Sequence, residues 1–430
     1  MTSRFGLVRA IGRDELWQNP HFVQLWGAAT ISTFGSLVSG VALPFVAILA
    51  LHASPASLSA LRIAQLLPGF LLGLIAGAWV DRLPRRPIMI ATDLARAGLM
   101  ATIPLAAIGG WLGFELLYVV AALVSALGVF FDVAFQSYLP SLVRRHELIA
   151  ANSRISAAGS VAEAAAFSSA GWLVQLLTAP MAMLVDAVTF VVSAVLVTAI
   201  RAPEPEPAGP MLDEPPASVA SEITDGLRAV WHEPLLRGLV AAGICLQLAF
   251  GMIGTVIVLY TNQEVGFSPG VLGMIFAVGG VSSFLGAAVA GRLPRFGIGA
   301  VMVASLLLAA LGAAFVPLAT AANLAGVVLL VGQQLVSDAA LTIYEINQVS
   351  LRQAITAPQV LGRVNASVRV SEMGAVLLGT IAAGYLGGAI GLRSTLWLGV
   401  AATALAAIVL ALSPVRAVAR MPEMPQEAMV

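Results

Sequence analysis

Apolar runs of about twenty residues, separated by short polar breaks, recur along the whole chain. A helix needs about 20 apolar residues to cross the hydrocarbon core of a bilayer. Twelve segments meet that requirement, at about 22–50, 57–80, 87–110, 115–139, 152–177, 181–200, 236–260, 268–291, 298–319, 323–345, 361–389 and 392–413. The expected fold is therefore an all-α polytopic membrane protein. Residues 1–21 form an N-terminal segment, 22–200 and 236–413 carry six helices each, 201–235 connect them, and 414–430 form a tail. The connection opens with a Pro/Glu-rich stretch, Arg201 through Pro216, that cannot build a core and is expected to be flexible. Ser221 to Arg237 follows, with Ile223, Leu227, Val230, Trp231 and Leu235 at helical spacing. This is the pattern of an amphipathic helix on the membrane surface that braces the two halves.

Composition agrees with the pattern. Charged residues are 10% of the chain against about 25% in an ordinary soluble domain, and mean hydropathy is +0.94. Net charge is zero, which argues against nucleic acid as a partner. The single cysteine, Cys245, excludes a disulfide framework, and the four histidines lack ligand spacing, so no metal is expected. No Gly-rich loop ending in Lys is present to bind ATP, and nothing enzymatic stands out. The first twenty residues lack a cleavable signal pattern, so the first apolar run is expected to span.

The arginines orient the chain. Placing an Arg or Asp at a helix centre costs roughly 2.5–3.5 kcal/mol on insertion scales. The decapeptide Gly77–Arg86, with Asp81, Arg82, Arg85 and Arg86, must therefore be a polar loop. With a cytoplasmic N-terminus, Arg144, Arg145, Arg201, Arg228, Arg237, Arg292, Arg295, Arg352, Arg363, Arg416 and Arg420 fall inside with it. Only Arg62 and Arg393 fall at outer ends. Both termini are thus expected in the cytoplasm. An internal repeat is also visible: Arg82-Leu-Pro-Arg85 recurs as Arg292-Leu-Pro-Arg295, and at a slightly different offset Asp132 falls on Glu345, Leu148 on Leu361 and Asn152 on Asn365.

The loop resembles the cytoplasmic signature of the major facilitator superfamily, G-x-x-x-D-R-x-G-R-R, through Gly77, Asp81, Arg82, Arg85 and Arg86, with Pro84 in place of the second Gly. That resemblance implies two pseudo-symmetric six-helix bundles that rock around a central substrate site in alternating access. Phe22-x-x-Leu25-Trp26, Phe34-Gly35, Ala42-Leu43-Pro44-Phe45, Leu67-Pro68, Asp93-x-x-Arg96 and Val185-Asp186-Ala187-x-x-Phe190 further resemble the branch of macrolide-efflux proteins and the enterobactin exporter. The implied activity is efflux of a bulky amphipathic small molecule (a drug, siderophore or secondary metabolite) by proton antiport across a bacterial cytoplasmic (inner) membrane. No cofactor beyond the proton gradient is implied, the partners are substrate and lipid, and the chain is expected to act as a monomer. Two positions depart from the pattern. Ser36 stands where the branch commonly has an acid, and the antiporter Gly-Pro signature is absent near Ala166-Phe167. A facilitator, or a lipid or metabolite transporter without proton coupling, is the alternative.

Candidate residues follow. Asp81 is expected to face the N-terminal end of the eleventh helix, Arg85 to pair with Asp132, and Arg295 to pair with Glu345. With Arg82 these are either gate contacts or loop anchors. Glu163 and Glu372 lie near mid-membrane, on one face of equivalent helices, as carboxylates to be charged and discharged. Arg369 is a local partner for Glu372, and Asp338 in the tenth helix is a third proton-coupling candidate. Asp186 reads as structural. For the substrate cavity the candidates are Trp26, Phe34, Arg62, Gln65, Phe131, Phe135, Gln247, Phe250, Gln333, Gln334 and Arg369.

Overall fold

The structure is a computed structural model that describes residues 15–73, 76–80, 82–202, 204 and 219–421. Twelve long helices follow the predicted order. They are α1 (Pro20–Ala50), α2 (Pro55–Leu72), α3 (Arg85–Gly109), α4 (Phe114–Leu142), α5 (Leu148–Leu177) and α6 (Ala179–Ala199), then α7 (Pro234–Glu264), α8 (Pro269–Ala290), α9 (Ile298–Leu318), α10 (Leu324–Ile355), α11 (Pro358–Ala389) and α12 (Leu392–Leu412). Eleven of them, among the described residues, are long and apolar enough to cross a membrane. The exception is α5. It has 30 residues, ample length, but Asn152, Ser153, Arg154, Ser156, Ser160, Glu163, Ser168 and Ser169 dilute its apolar content. The second predicted span also ends early: α2 stops at Leu72, and a separate short helix covers Ala76–Val80.

The repeat extends to backbone detail. Both α1 and α7 run 31 residues, and each opens with proline at its first position. Asn19 caps α1, accepting from the N–H groups of His21 and Phe22, and Glu233 caps α7 by accepting from that of Leu235. Each then ends in a five-residue π-helical segment, Val46–Ala50 and Tyr260–Glu264. A third π segment, Gln334–Asp338, interrupts α10. Its wider turn frees a carbonyl: the Ser282 hydroxyl of α8 donates to Leu335 O at 2.8 Å.

The chain divides into two compact units. Unit 1 holds residues 1–51 and 64–214; unit 2 holds 52–63 and 215–430. The first half of α2 therefore groups with the later helices, where the Ser59 hydroxyl donates to Thr380 O at 2.7 Å and Arg62 to Gly254 O at 3.2 Å. In unit 1, α6 packs on α1 and α3, with α5 against α1 and α4 against α3. In unit 2, α7 packs on α11 and α12, α9 on α12, and α8 and α9 on α10.

Lipid supplies no hydrophobic drive between helices, so close backbone approach does much of the packing. On α7, Gly251 faces the Val376 carbonyl of α11, and on α11 Gly379 faces the Leu248 carbonyl of α7. Neither site has room for a Cβ. The helix Val219–His232 uses the same device, with Gly226 against the Arg363 carbonyl and Val230 buried with Val364 and Val368. Its Gly226/Val230 side meets α11, while Leu227 and Trp231 are exposed.

Replacing Gly251 or Gly379 with leucine is expected to destabilise unit 2 by about 1–3 kcal/mol or more, seen as a lower thermal midpoint in detergent. Gly280→Ala, in open space on α8, should leave the midpoint unchanged.

Candidate functional site

Three groups of polar residues in unit 1 bear on the site. The first is the start of α3. The Glu204 carboxylate accepts from the backbone N–H groups of Arg85 and Arg86, and lies 3.9 Å from the Arg85 guanidinium. An anion is well placed at a helix N-terminus, where N–H groups have no helical partner. Arg86 donates in turn to the carbonyls of Val197 and Thr198 at the end of α6. Glu204 thus ties the loop down, although the sequence placed it in a flexible linker.

The expected Arg85–Asp132 pair is not formed. Asp132 lies ten residues before the end of α4, about 15 Å up the helix, and its cationic neighbour is Arg96 of α3. Arg295–Glu345 fails for the same reason. Glu345 lies ten residues before the end of α10, whereas Arg295 sits in the turn Leu293–Phe296 and stacks over Phe296 at 4.7 Å. Both acids are exposed. Arg82 is exposed on its loop, and Asp81 lies outside the described residues.

The second place is α5, which exposes two opposite stripes. Val161, Trp172 and Leu176 form an apolar one. Asn152, Ser156, Ser160 and Glu163, all exposed, fall within about 80° of one another on the other side, at 100° per residue. Glu163 therefore stands on a polar surface of unit 1, not on the apolar stripe.

The third is a buried group of Asp93, Arg96 and Asp186 on α3 and α6. Arg96 pairs with Asp93 and lies over Phe131, and Phe131 stacks with Phe135 at 6.4 Å. Of the other cavity candidates in unit 1, Trp26 donates to the Arg154 carbonyl and meets Trp17 edge-on, Phe34 packs against Val38, Ala166 and Ala170, and the Gln65 carbonyl accepts from Ser125. The Gln65 contact is made by its main chain, and all three side chains are half-buried.

In unit 2 the candidates form two groups. Asp338 and Gln334 converge on Gly279 of α8, which has no room for a side chain, and the Gln334 amide donates to Phe276 O at 3.2 Å. The π segment carries both residues. Gln333, next to it, is half-buried. Glu372 of α11 is also half-buried; it leans on Gly243 of α7, with Tyr344, Glu345 and Arg352 of α10 as its polar surroundings. The expected Arg369–Glu372 pair is absent, and Arg369 is exposed. Phe250 is exposed, Gln247 is half-buried, and Arg62 is committed to the Gly254 carbonyl.

Glu163 and Glu372 do not share equivalent environments. At the offset that aligns Leu148 with Leu361, Glu372 falls on Gly159, four residues before Glu163. The two acids therefore lie about one turn apart on nearly one face of equivalent helices, but Glu163 is exposed whereas Glu372 is half-buried against Gly243 of α7. Sequence reasoning missed Glu204 and Tyr344 as members of these groups. It had a signal for the Asp93–Arg96 pair, an acid and a base three residues apart on a helix.

Comparison with known proteins now bears on this geometry. The family model described as Major Facilitator Superfamily matches residues 25–344. An uncharacterised MFS-type transporter of Sinorhizobium fredii is 28% identical over 87% of this chain and 90% of its own length. The multidrug efflux pump Tap of Mycobacterium tuberculosis is 30% identical over 70% of this chain and 73% of its own. Among solved structures, the nucleoside transporter NupG superposes with a TM-score of 0.74 at 14% identity, covering 91% of this chain and 98% of that one. A bacterial homologue of the iron transporter ferroportin gives 0.71 at 18% identity, covering 91% and 97%. Those likenesses carry the fold. The family match covers most of the chain, which belongs to the Major Facilitator Superfamily and is a secondary membrane transporter, not an enzyme.

Proposed function

We propose that this transporter exports bulky amphipathic small molecules in exchange for protons. The observation that carries the reading is Glu163, an exposed carboxylate on the polar stripe of an otherwise membrane-embedded helix. A lone charge there is costly in hydrocarbon, so such a group is kept for a proton, an ion or a substrate. Similarity to a pump named for multidrug efflux supports the direction and the substrate class, which extends to siderophores and secondary metabolites. The macrolide-efflux and enterobactin-exporter likeness of the α1, α3 and α6 motifs points the same way. Exposed Phe250 and Arg369, with half-buried Gln247, supply the aromatic, cationic and amide contacts that such a ligand takes up. The protein works as a monomer in a bacterial inner membrane with both termini in the cytoplasm, since the positive-inside rule places nearly every arginine on one side. Facilitated transport without protons is the second reading, favoured by Ser36 and the missing Gly-Pro signature in α5.

In liposomes an imposed pH gradient should drive accumulation of a lipophilic cationic dye. Glu163→Gln should reduce this to the level of protein-free vesicles while substrate exchange without a gradient persists. Equal dye movement with the gradient collapsed supports the facilitator. Orientation is tested in a Cys245→Ala background: His52→Cys should react with an impermeant maleimide in intact cells, and Arg292→Cys only after permeabilisation. The reverse pattern would invert the topology.

A further inference from the structure

Asp93, Arg96 and Asp186 form an ionic core inside unit 1 that the reading above does not use. Arg96 pairs with Asp93 one turn before it on α3. Its guanidinium lies between two rings, 4.6 Å from the centroid of Phe131 and 4.2 Å from that of Phe190. Asp186 of α6 stands within electrostatic reach of the same cation. Asp93 and Asp186 are 0% exposed and Arg96 is 5% exposed.

Two buried carboxylates face one guanidinium, so full ionisation would leave a net negative charge in the apolar interior. An unpaired buried charge of that kind is neutralised by protonation. The hydroxyl of Thr189 makes the same point by geometry. Its oxygen is 2.8 Å from the Asp186 backbone carbonyl and 3.2 Å from Asp186 Oδ1. A hydroxyl has one proton to donate. With that proton on the shorter, carbonyl contact, a proton on Asp186 closes the other. The far oxygens, Asp186 Oδ2 and Asp93 Oδ2, are buried beside the Ser39 and Ser193 hydroxyls without closing a full hydrogen bond.

Among the described residues, no titratable group beyond Asp93 and Arg96 presses on Asp186. Within the apolar part of α1, which lies against α6, there is none, and Gly35 makes the close approach. On α5, Arg154 stacks on Trp17 and Glu163 is exposed. On α4, Asp132 is exposed and coupled electrostatically to Arg96.

We propose that this core is a proton-binding site that holds one exchangeable proton on Asp186, and that Arg96 links its occupancy to Asp132 on the exposed side of α4. When the proton passes to water, the Asp186 carboxylate competes with Asp93 for Arg96, and the guanidinium shifts within its aromatic slot. The use of this proton in transport rests on the antiport reading; its presence does not.

Infrared spectroscopy of the full-length protein in liposomes tests the site without any transport measurement. The wild type should show a protonated-carboxyl stretch that is lost on going from acid to alkaline pH. Asp186→Asn should remove one component of that band, the one this site contributes. Asp93→Asn should abolish it too, because one carboxylate then balances one guanidinium. Glu163→Gln and Ser193→Ala should keep it, which separates this site from the coupling role of Glu163. Persistence of that component in Asp93→Asn, or its failure to respond to pH, would make Asp186 a permanently neutral packing group and overturn the proposal. Loss of that component on adding sodium at constant pH would overturn it in favour of a cation site. If Asp186→Asn does not fold, Asp93→Asn and the wild-type titration still decide.

Discussion

An ionised side chain in hydrocarbon must find an opposite charge, a helix end or water, and this one constraint orders the polar groups of the protein. Arg85 and Arg86 meet Glu204 and the open carbonyls of α6 where helices begin and end. Arg62 and Arg393, at the other ends, donate to the carbonyls of Gly254 and Pro317. Arg96, which has no helix end to reach, is enclosed by Asp93, Asp186 and two phenylalanine rings. Removing one partner from such a buried pair costs about 3–5 kcal/mol, and the guanidinium, seated over Phe190, joins α3 to α6. The groups that escape the constraint by facing an exposed polar surface, Glu163 and Asp132 in unit 1, are those available for work.

The same economy shapes the helix contacts. Where backbones must touch, a glycine faces a carbonyl, as at Gly251, Gly379 and Gly226. Where a helix changes pitch, a freed carbonyl takes a hydroxyl from its neighbour, as Leu335 takes Ser282. The π segment of α10 carries Gln334 and Asp338 together, and the matched π segments ending α1 and α7 show that the two halves of the chain repeat in backbone form as well as in helix order.

Much of this was legible in the sequence because it depends on composition over long windows. All twelve helices follow from long apolar windows, and a break near Arg82 from the cost of burying charge, although the loop expected over Gly77–Arg86 is helical at Ala76–Val80 and again from Arg85. Pairings were less legible. The repeat correctly aligned Asp132 with Glu345, yet it carried no information on depth, and both acids lie too far along their helices to meet the loop arginines. Glu204 was assigned to a linker by its proline neighbours, though a single carboxylate beside a helix start is enough to anchor it. Glu163 and Glu372 lie a turn apart on equivalent helices, yet only Glu372 is covered, by Gly243 of α7, and the repeat carried no information on what covers each.

The central claim is that carboxylates within the helices are charged and discharged as substrate moves. The most direct measurement is proton movement itself, followed with a pH-sensitive dye sealed inside liposomes that begin with no pH gradient. Adding a substrate on one side should drive protons the opposite way, with a stoichiometry that falls in Glu163→Gln. Substrate flux that leaves the internal pH unchanged would contradict the account.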